Sequence, residues 1–146
     1  MKIAFASDHA GYNLKKELIA FIKELDHQAL DFGTYSDEPV DYPDYAFPAA
    51  EAIAGGIADY GIIICGTGIG VNITANKVTG VRAALCTNEK MAELARQHNN
   101  ANVLNLGARI IDLELAKKIT QTFIEGEFLG GRHMIRIEKI HFLTGN

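Results

Sequence analysis

Short apolar runs alternate along the chain with longer stretches in which apolar residues recur every three or four positions. Each short run is followed by a polar or glycine turn and then by an amphipathic stretch, a pattern typical of a parallel α/β sheet. Residues 62–64 are three consecutive isoleucines, apolar on both faces, as a covered central strand must be. The pattern predicts five strands, over residues 2–6, 28–32, 60–65, 81–86 and 102–106.

The stretches between these runs predict helices. Residues 13–25 carry leucine or isoleucine at intervals of four and three, which predicts an amphipathic helix with Asn13 as its N-cap. Residues 33–48 contain all 3 prolines and predict one long irregular connection, a kind of segment that is often functional. Further helices are predicted over residues 48–57, 88–97, 112–124 and 132–143.

Length and charge exclude several classes of protein. The 146 residues suit one soluble domain, spanning residues 1–146, and a net charge of -4 provides no basic field for nucleic acid or an anionic membrane. No apolar run approaches the roughly 18 residues that span a bilayer, and Asp8 comes too early for a signal peptide. We therefore expect a cytoplasmic protein in which Cys65 and Cys86 are free thiols.

Polar residues follow three of the predicted strands. Ser7, Asp8 and His9 follow the first strand, residues 65–72 end and follow the third, and Arg109 follows the fifth. Ligands of open parallel sheets bind at the carboxyl ends of the strands. These groups are therefore expected to converge on one rim of the sheet.

The segment Gly66-Thr67-Gly68-Ile69-Gly70 leads from a strand into a helix, where free backbone N–H groups favour anionic oxygen. A tight turn that needs glycine only for its backbone conformation is an equally good interpretation of this segment. A dinucleotide site is a weaker alternative, because Val71 stands where its fingerprint needs glycine or alanine.

The two cysteines differ in their neighbourhoods. Cys65 ends a buried strand beside the glycine-rich turn, a setting that favours the reactive thiolate, although most lone cysteines are inert core residues. Cys86 has no such turn and is interpreted as a small apolar filler. Cys65 is therefore the candidate nucleophile or base.

Two histidines occupy positions suited to acid–base chemistry. His9 lies in the turn after the first strand, and His98 lies with Asn99 at a helix end. An exposed imidazole in either place can exchange a proton near neutral pH. His27 and His141 are interpreted as surface or packing residues.

Three arginines could bind an anion in this acidic chain. Arg132 and Arg136 are four residues apart at the start of the last helix, so both lie on one face. Taken alone, that pair is better explained as a solvated helix face, but Arg109 at a strand end adds a third cation and favours a phosphate site. No Cys/His spacing matches a metal site, and none is predicted.

Taken together, these segments resemble the type B ribose-5-phosphate isomerase family, which includes galactose-6-phosphate isomerase subunits. The resemblance covers essentially the whole chain, in order and spacing. It implies a three-layer α/β/α sandwich with a Rossmann-like five-stranded parallel sheet. It also implies a homodimer, or a dimer of dimers, with active sites built across the subunit interface and residues 131–144 contributing to the dimer. The motifs that carry it are Ser7-Asp8-His9-Ala10-Gly11, Cys65-Gly66-Thr67-Gly68-Ile69-Gly70, Ala75-Asn76-Lys77, Gly80-Val81-Arg82-Ala83-Ala84 and Gly130-Gly131-Arg132-His133.

The same resemblance implies a cofactor-free isomerisation of a sugar phosphate. Cys65 would remove the C2 proton, Thr67 would assist proton movement between O1 and O2, and His98 would open the furanose ring. Asn99 and Asp8 would hold sugar oxygens. The enediolate oxygens would be held by the backbone amides of Gly66, Thr67, Gly68, Ile69 and Gly70. The phosphate would be bound by His9, Arg109, Arg132 and Arg136.

Two other functions fit parts of the sequence. Galactose 6-phosphate or allose 6-phosphate could be the substrate instead of ribose 5-phosphate if the pocket is longer. A non-catalytic nucleotide-binding module would share the α/β pattern and the glycine turn. Such a module would not need Cys65, His98 and the paired arginines together.

Overall fold

The strands form where the sequence predicts them, with shifts of one or two residues at the ends. A computed structural model describes residues 1–145. The described strands are β1 (Lys2–Ser7), β2 (Gln28–Asp31), β3 (Tyr60–Cys65), β4 (Ala83–Leu85) and β5 (Val103–Gly107). β4 is shorter than predicted because Val81 is held in a turn, its N–H donating to the carbonyl of Val78 at 3.1 Å.

The five strands pair in the order β2-β1-β3-β5-β4, and every pairing is parallel. β3 lies at the centre, and its three isoleucines are fully buried on the two faces of the sheet. In its pairing with β5, Gly61 lies opposite Val103 and Cys65 opposite Gly107. The carboxyl ends of β1, β3 and β5 therefore lie side by side at one edge.

Six helices are described: α1 (Tyr12–Glu24), α2 (Pro43–Ala54), α3 (Ile69–Ala75), α4 (Glu89–Asn99), α5 (Leu113–Glu125) and α6 (Arg132–Thr144). α1, α4 and α5 bury apolar residues in one core with Ile62 and Ile64, whereas α2 and α3 bury theirs in a second core with Ile63. Side chains of successive strand residues point to opposite faces, so the two cores lie on opposite sides of the sheet. The predicted three-layer α/β/α sandwich is confirmed.

Two predicted helix starts are wrong. α1 begins at Tyr12 with Gly11 as its N-cap, so Asn13 lies inside the first turn and does not cap it. The Asp8 carboxylate accepts the Gly11 N–H at 2.9 Å, and this turn starts the helix earlier than predicted. α2 begins at Pro43, not at residue 48. A proline costs nothing at the first helical position, and burial of alanines on the sheet side retains the helix through Pro48.

The last helix, α6, packs against α4 and leaves much apolar surface in solvent. Ile137 is buried on it, but Ile135 is 67% exposed, Phe142 84% and Leu143 70%. Large apolar side chains on one helix at such exposure are typical of an interaction surface. The packing within one chain therefore leaves α6 only partly covered.

Candidate active site

Three loops meet at the carboxyl edge of the sheet. The N–H of Asp8 donates to the carbonyl of Ile64 at 3.2 Å, next to Cys65. On the other side, the N–H of Arg109 donates to the carbonyl of Gly66 at 2.9 Å. The structure therefore brings Asp8, His9, the residue 65–70 loop and Arg109 to one rim, because parallel pairing aligns the ends of β1, β3 and β5.

The residue 65–70 loop requires glycine at two positions. Gly68 has φ 79°, and a Cβ built there would lie 2.5 Å from Leu85 Cδ1. A Cβ on Gly70 would lie 2.6 Å from the ring of Tyr42. Both contacts are shorter than real Cβ atoms allow, so the loop packs too closely against its neighbours to accept a side chain at either position.

Cys65 lies at the base of this loop. Its side chain is buried, at 5% exposure, and Sγ accepts the N–H of Gly68 at 3.1 Å. A backbone donor aimed at sulfur stabilises negative charge on it. Thr67 is exposed beside it, with Oγ1 accepting the Ile69 N–H at 3.3 Å. The thiol is thus held next to a hydroxyl and a row of amides.

Cys86 occupies a different environment, although both cysteines are free thiols as expected. Its side chain is 1% exposed and packs in the core that contains Ile62. Burial raises the pKa of the Cys86 thiol to about 12, so it remains protonated near neutral pH. The interpretation of Cys86 as an apolar filler agrees with this position.

The long loop before α2 contributes to the same rim, and one of its residues was not predicted. The N–H of Val40 donates to His9 Nδ1 at 3.2 Å, so the neutral His9 ring carries its proton on Nε2. Tyr42 packs its ring over Gly70. The predicted importance of the loop could have pointed to Tyr42, but only the packing identifies which of its tyrosines reaches the glycine turn.

His98, Asn99 and the two arginines of α6 form a second group elsewhere. The rings of His98 and His133 stack at 4.2 Å with an interplanar angle of 9°. Burial is the largest cause that lowers the pKa of His133, followed by the neighbouring His98 and the two arginines. Arg132 and Arg136 flank His133 and are exposed. The contact between α4 and α6 therefore places His98, the candidate for ring opening, close to the candidate phosphate-binding arginines.

This second group lies near the amino ends of the strands, at the opposite end of the sheet from Cys65. α4 ends at Asn99, just before the first residue of β5, whereas Cys65 pairs with the last residue of that strand. At about 3.3 Å per residue, the four steps along β5 span about 13 Å. A single chain therefore does not bring His98 or Asn99 to the Cys65 rim.

One groove of the single chain also lies away from Cys65. It has a volume of about 320 Å³ and opens between α6 and the start of β4 beside Asn99 and Arg82. None of residues 65–70 lines it.

Within residues 1–145, no group of three or more His, Cys, Asp or Glu side chains is arranged to hold a metal ion. Among the same residues, no helix combines the length and apolarity that crossing a bilayer requires.

Comparisons with known proteins agree with this fold. The Ribose/Galactose Isomerase family profile matches residues 3–140. Ribose-5-phosphate isomerase B of Escherichia coli (strain K12) is 49% identical over 139 residues, covering 95% of this chain and 93% of that protein. Relatives of this kind are aldose–ketose isomerases, and the chain matches them over nearly its whole length. The chain belongs to the ribose/galactose isomerase family.

Solved structures extend this likeness to the whole fold. Ribose-5-phosphate isomerase B of Clostridium thermocellum superposes with a TM-score of 0.98 at 51% identity, covering 99% of this chain and 98% of that one. The Mycoplasma genitalium enzyme with bound ribulose-5-phosphate gives 0.94 at 46% identity, covering 99% and 97%.

Proposed function

We propose that this protein interconverts ribose 5-phosphate and ribulose 5-phosphate through an enediolate, with the Cys65 thiolate as base. The observation that carries the proposal is the hydrogen bond from the Gly68 N–H to Cys65 Sγ at the base of the glycine loop. The bound ribulose-5-phosphate of the Mycoplasma genitalium relative supports a pentose phosphate as the ligand.

The proposed chemistry needs only a base, an anion cradle and a proton carrier. Cys65 removes the proton from C2 of the open-chain aldose, and the bond electrons move to make O1 an oxyanion. Amides of residues 66–70 donate to the developing enediolate, and stabilisation of this kind usually lowers the reaction barrier more than any other single effect. Thr67 moves a proton between O1 and O2, and the thiol returns its proton to C1. No electron leaves the substrate, so no redox cofactor is required.

The remaining roles are divided between the two edges of the sheet. At the Cys65 rim, Asp8 holds a sugar hydroxyl while His9 and Arg109 bind the phosphate. His98 opens the furanose ring as an acid, and Asn99 holds a sugar oxygen. Arg132 and Arg136 complete the phosphate site. Because His98 and Cys65 lie at opposite edges of one chain, these last four residues act from a second copy.

A homodimer with two composite sites supplies that second copy. Exposed apolar residues on two helices support it: Ile69 and Ile73 on α3, beside the Cys65 loop, and Ile135 and Phe142 on α6, beside His98. Both halves of the proposed site therefore adjoin apolar surface that a partner can cover. The α6 helix contributes to the dimer, as the resemblance implies.

The test of the proposed function is a substrate panel. We expect kcat/KM for ribose 5-phosphate to exceed the values for allose 6-phosphate and galactose 6-phosphate, and to be unchanged by EDTA. A preference for a hexose phosphate would retain the chemistry and reassign the substrate. Loss of activity in EDTA would contradict a metal-free mechanism.

His98→Asn is expected to slow the cyclic substrate selectively. Ribulose 5-phosphate cannot close a furanose ring because its 5-oxygen carries the phosphate, so its deprotonation at C1 needs no ring opening. We expect isomerisation of ribose 5-phosphate to fall by about 10²-fold or more, the usual contribution of a general acid. Deuterium exchange at C1 of ribulose 5-phosphate, followed by NMR in D₂O, should fall much less. Equal losses in both assays would mean that His98 does not open the ring.

A further inference from the structure

Arg96 is a buried guanidinium, only 5% exposed, at the carboxyl end of α4. Its Nη1 donates to the carbonyl of Ala101 at 2.6 Å and to Asn100 Oδ1 at 3.0 Å. Nη2 donates to the hydroxyl of Tyr60 at 2.7 Å, and Nε donates to the carbonyl of Gly126 at 3.2 Å. Its acceptors thus come from three separate segments of the chain.

No carboxylate neutralises this charge within residues 1–145, since the ion pairs described there involve only lysines. Arg96 instead lies over two aromatic rings, with its Cζ 4.6 Å from the ring centroid of Tyr60 and 5.7 Å from that of Phe123. Removing a charge from water is costly unless hydrogen bonds and packing compensate it. A buried apolar residue would fill the space without that cost. What the guanidinium adds is a set of N–H donors that reach acceptors in separate segments of the chain.

Those acceptors surround the turn that follows His98. Asn100 adopts φ 45°, a conformation uncommon for any residue other than glycine, and ends α4. Its side chain is held by Arg96 and its carbonyl by Arg82 Nε at 2.9 Å. The segment that leads to α6 is joined to the same place, because the Leu129 N–H donates to the carbonyl of Gln97 at 3.1 Å. The turn, and with it the imidazole of His98 against His133, is fixed from both sides.

We propose that Arg96 is a positioning residue that holds the imidazole of His98 in the orientation required for ring opening. It does not touch substrate, since it is buried beneath the turn. The inference rests on the proposed role of His98. It goes beyond that role by assigning the orientation of the imidazole to a buried arginine two residues earlier in the chain.

Two variants weaken this support to different extents. Arg96→Lys keeps the positive charge but loses the planar fork, so it cannot reach four acceptors in separate directions. Asn100→Gly is milder, because glycine adopts a positive φ without strain and only the acceptor Oδ1 is lost. Ile119→Val, in the apolar core of α5, is the matched control for a small loss of stability.

We expect Arg96→Lys to lower kcat/KM for ribose 5-phosphate by about 10-fold, as misplaced catalytic groups do. Asn100→Gly should lower it in the same sense, while deuterium exchange at C1 of ribulose 5-phosphate falls much less for both variants. The control should change neither rate. In the His98→Asn background, Arg96→Lys should cause no further loss, because a residue that acts through another is not additive with it.

Four results would overturn the inference. Proportional losses in both assays would show that Arg96 supports the fold in general. Multiplicative losses in the double variant would show that it acts independently of His98. If His98→Asn by itself lowers both rates equally, the proposed role of His98 fails, and the positioning role of Arg96 fails with it. Selective loss with His98→Asn but not with the Arg96 or Asn100 variants would reject the inference alone.

Discussion

Cys65→Ala is expected to abolish isomerisation while the protein still binds sugar phosphate. Removal of the base should lower kcat for ribose 5-phosphate by about 10³-fold or more, within the range that proton-transfer groups contribute. The substitution leaves every side chain that is proposed to bind the phosphate unchanged, so calorimetric affinity for ribose 5-phosphate should change little. Deuterium exchange at C1 of ribulose 5-phosphate should be lost as well, since both reactions need the same base.

Cys86→Ala is the matched control for this substitution. It removes the same thiol from a buried position at which burial raises the pKa to about 12 and excludes chemistry. Activity should therefore remain near that of the unsubstituted protein, with some loss of thermal stability from the small cavity. Near-normal turnover by Cys65→Ala would remove this cysteine from the mechanism.

Mixing two inactive variants restores activity if each site is shared between chains. Cys65→Ala and His98→Asn chains, unfolded together and refolded in equal amounts, give mixed dimers in half of the population. Each mixed dimer has one site with an intact Cys65 from one chain and an intact His98 from the other. The two-fold symmetry of a homodimer then predicts about one quarter of the unsubstituted activity. The measurement is kcat for ribose 5-phosphate after subtraction of both parents.

A second mixture tests the same geometry in the opposite direction. The double variant, Cys65→Ala with His98→Asn, is refolded with an equal amount of unsubstituted chain. Sites shared between chains would leave about one quarter of the activity, whereas sites complete within one chain would leave about one half. Activity of the first mixture no greater than that of its parents, with one half in the second, would contradict a composite site.

The local pattern was sufficient for the sheet but not for every helix end. Burial of both faces of β3 leaves three consecutive isoleucines in the sequence. Burial of one face of α1 leaves leucine or isoleucine at every third or fourth position. The start of α2 left no such signal. Pro43 and Pro48 are both compatible with a first helical turn, and the alanines between and after them pack on the sheet in either case. Tertiary contact alone selects the earlier start.

The Cys65 rim could be anticipated because it follows from topology. Once β1, β3 and β5 are parallel neighbours, residues after each strand must meet, and Asp8, Cys65 and Arg109 do so. Tyr42 could not be located in this way, since its approach to Gly70 depends on the course of a loop without a period. Arg96 was missed for a similar reason: it occupies a helical pattern in which arginine is usually exposed, and its partner Tyr60 is 36 residues away.

The sequence by itself determined the layers of the fold, the identity of the family and the residue types of its chemistry, because those depend on local period and on motif order. The family resemblance implies sites built across a subunit interface, and only the tertiary structure shows how the candidate residues are distributed within one chain. His98 and Arg132 lie near the amino ends of the strands and Cys65 lies at the carboxyl ends, because α4 ends just before β5 begins. The separation between His98 and Cys65 depends on chain direction and packing, and no local pattern in the sequence encodes it.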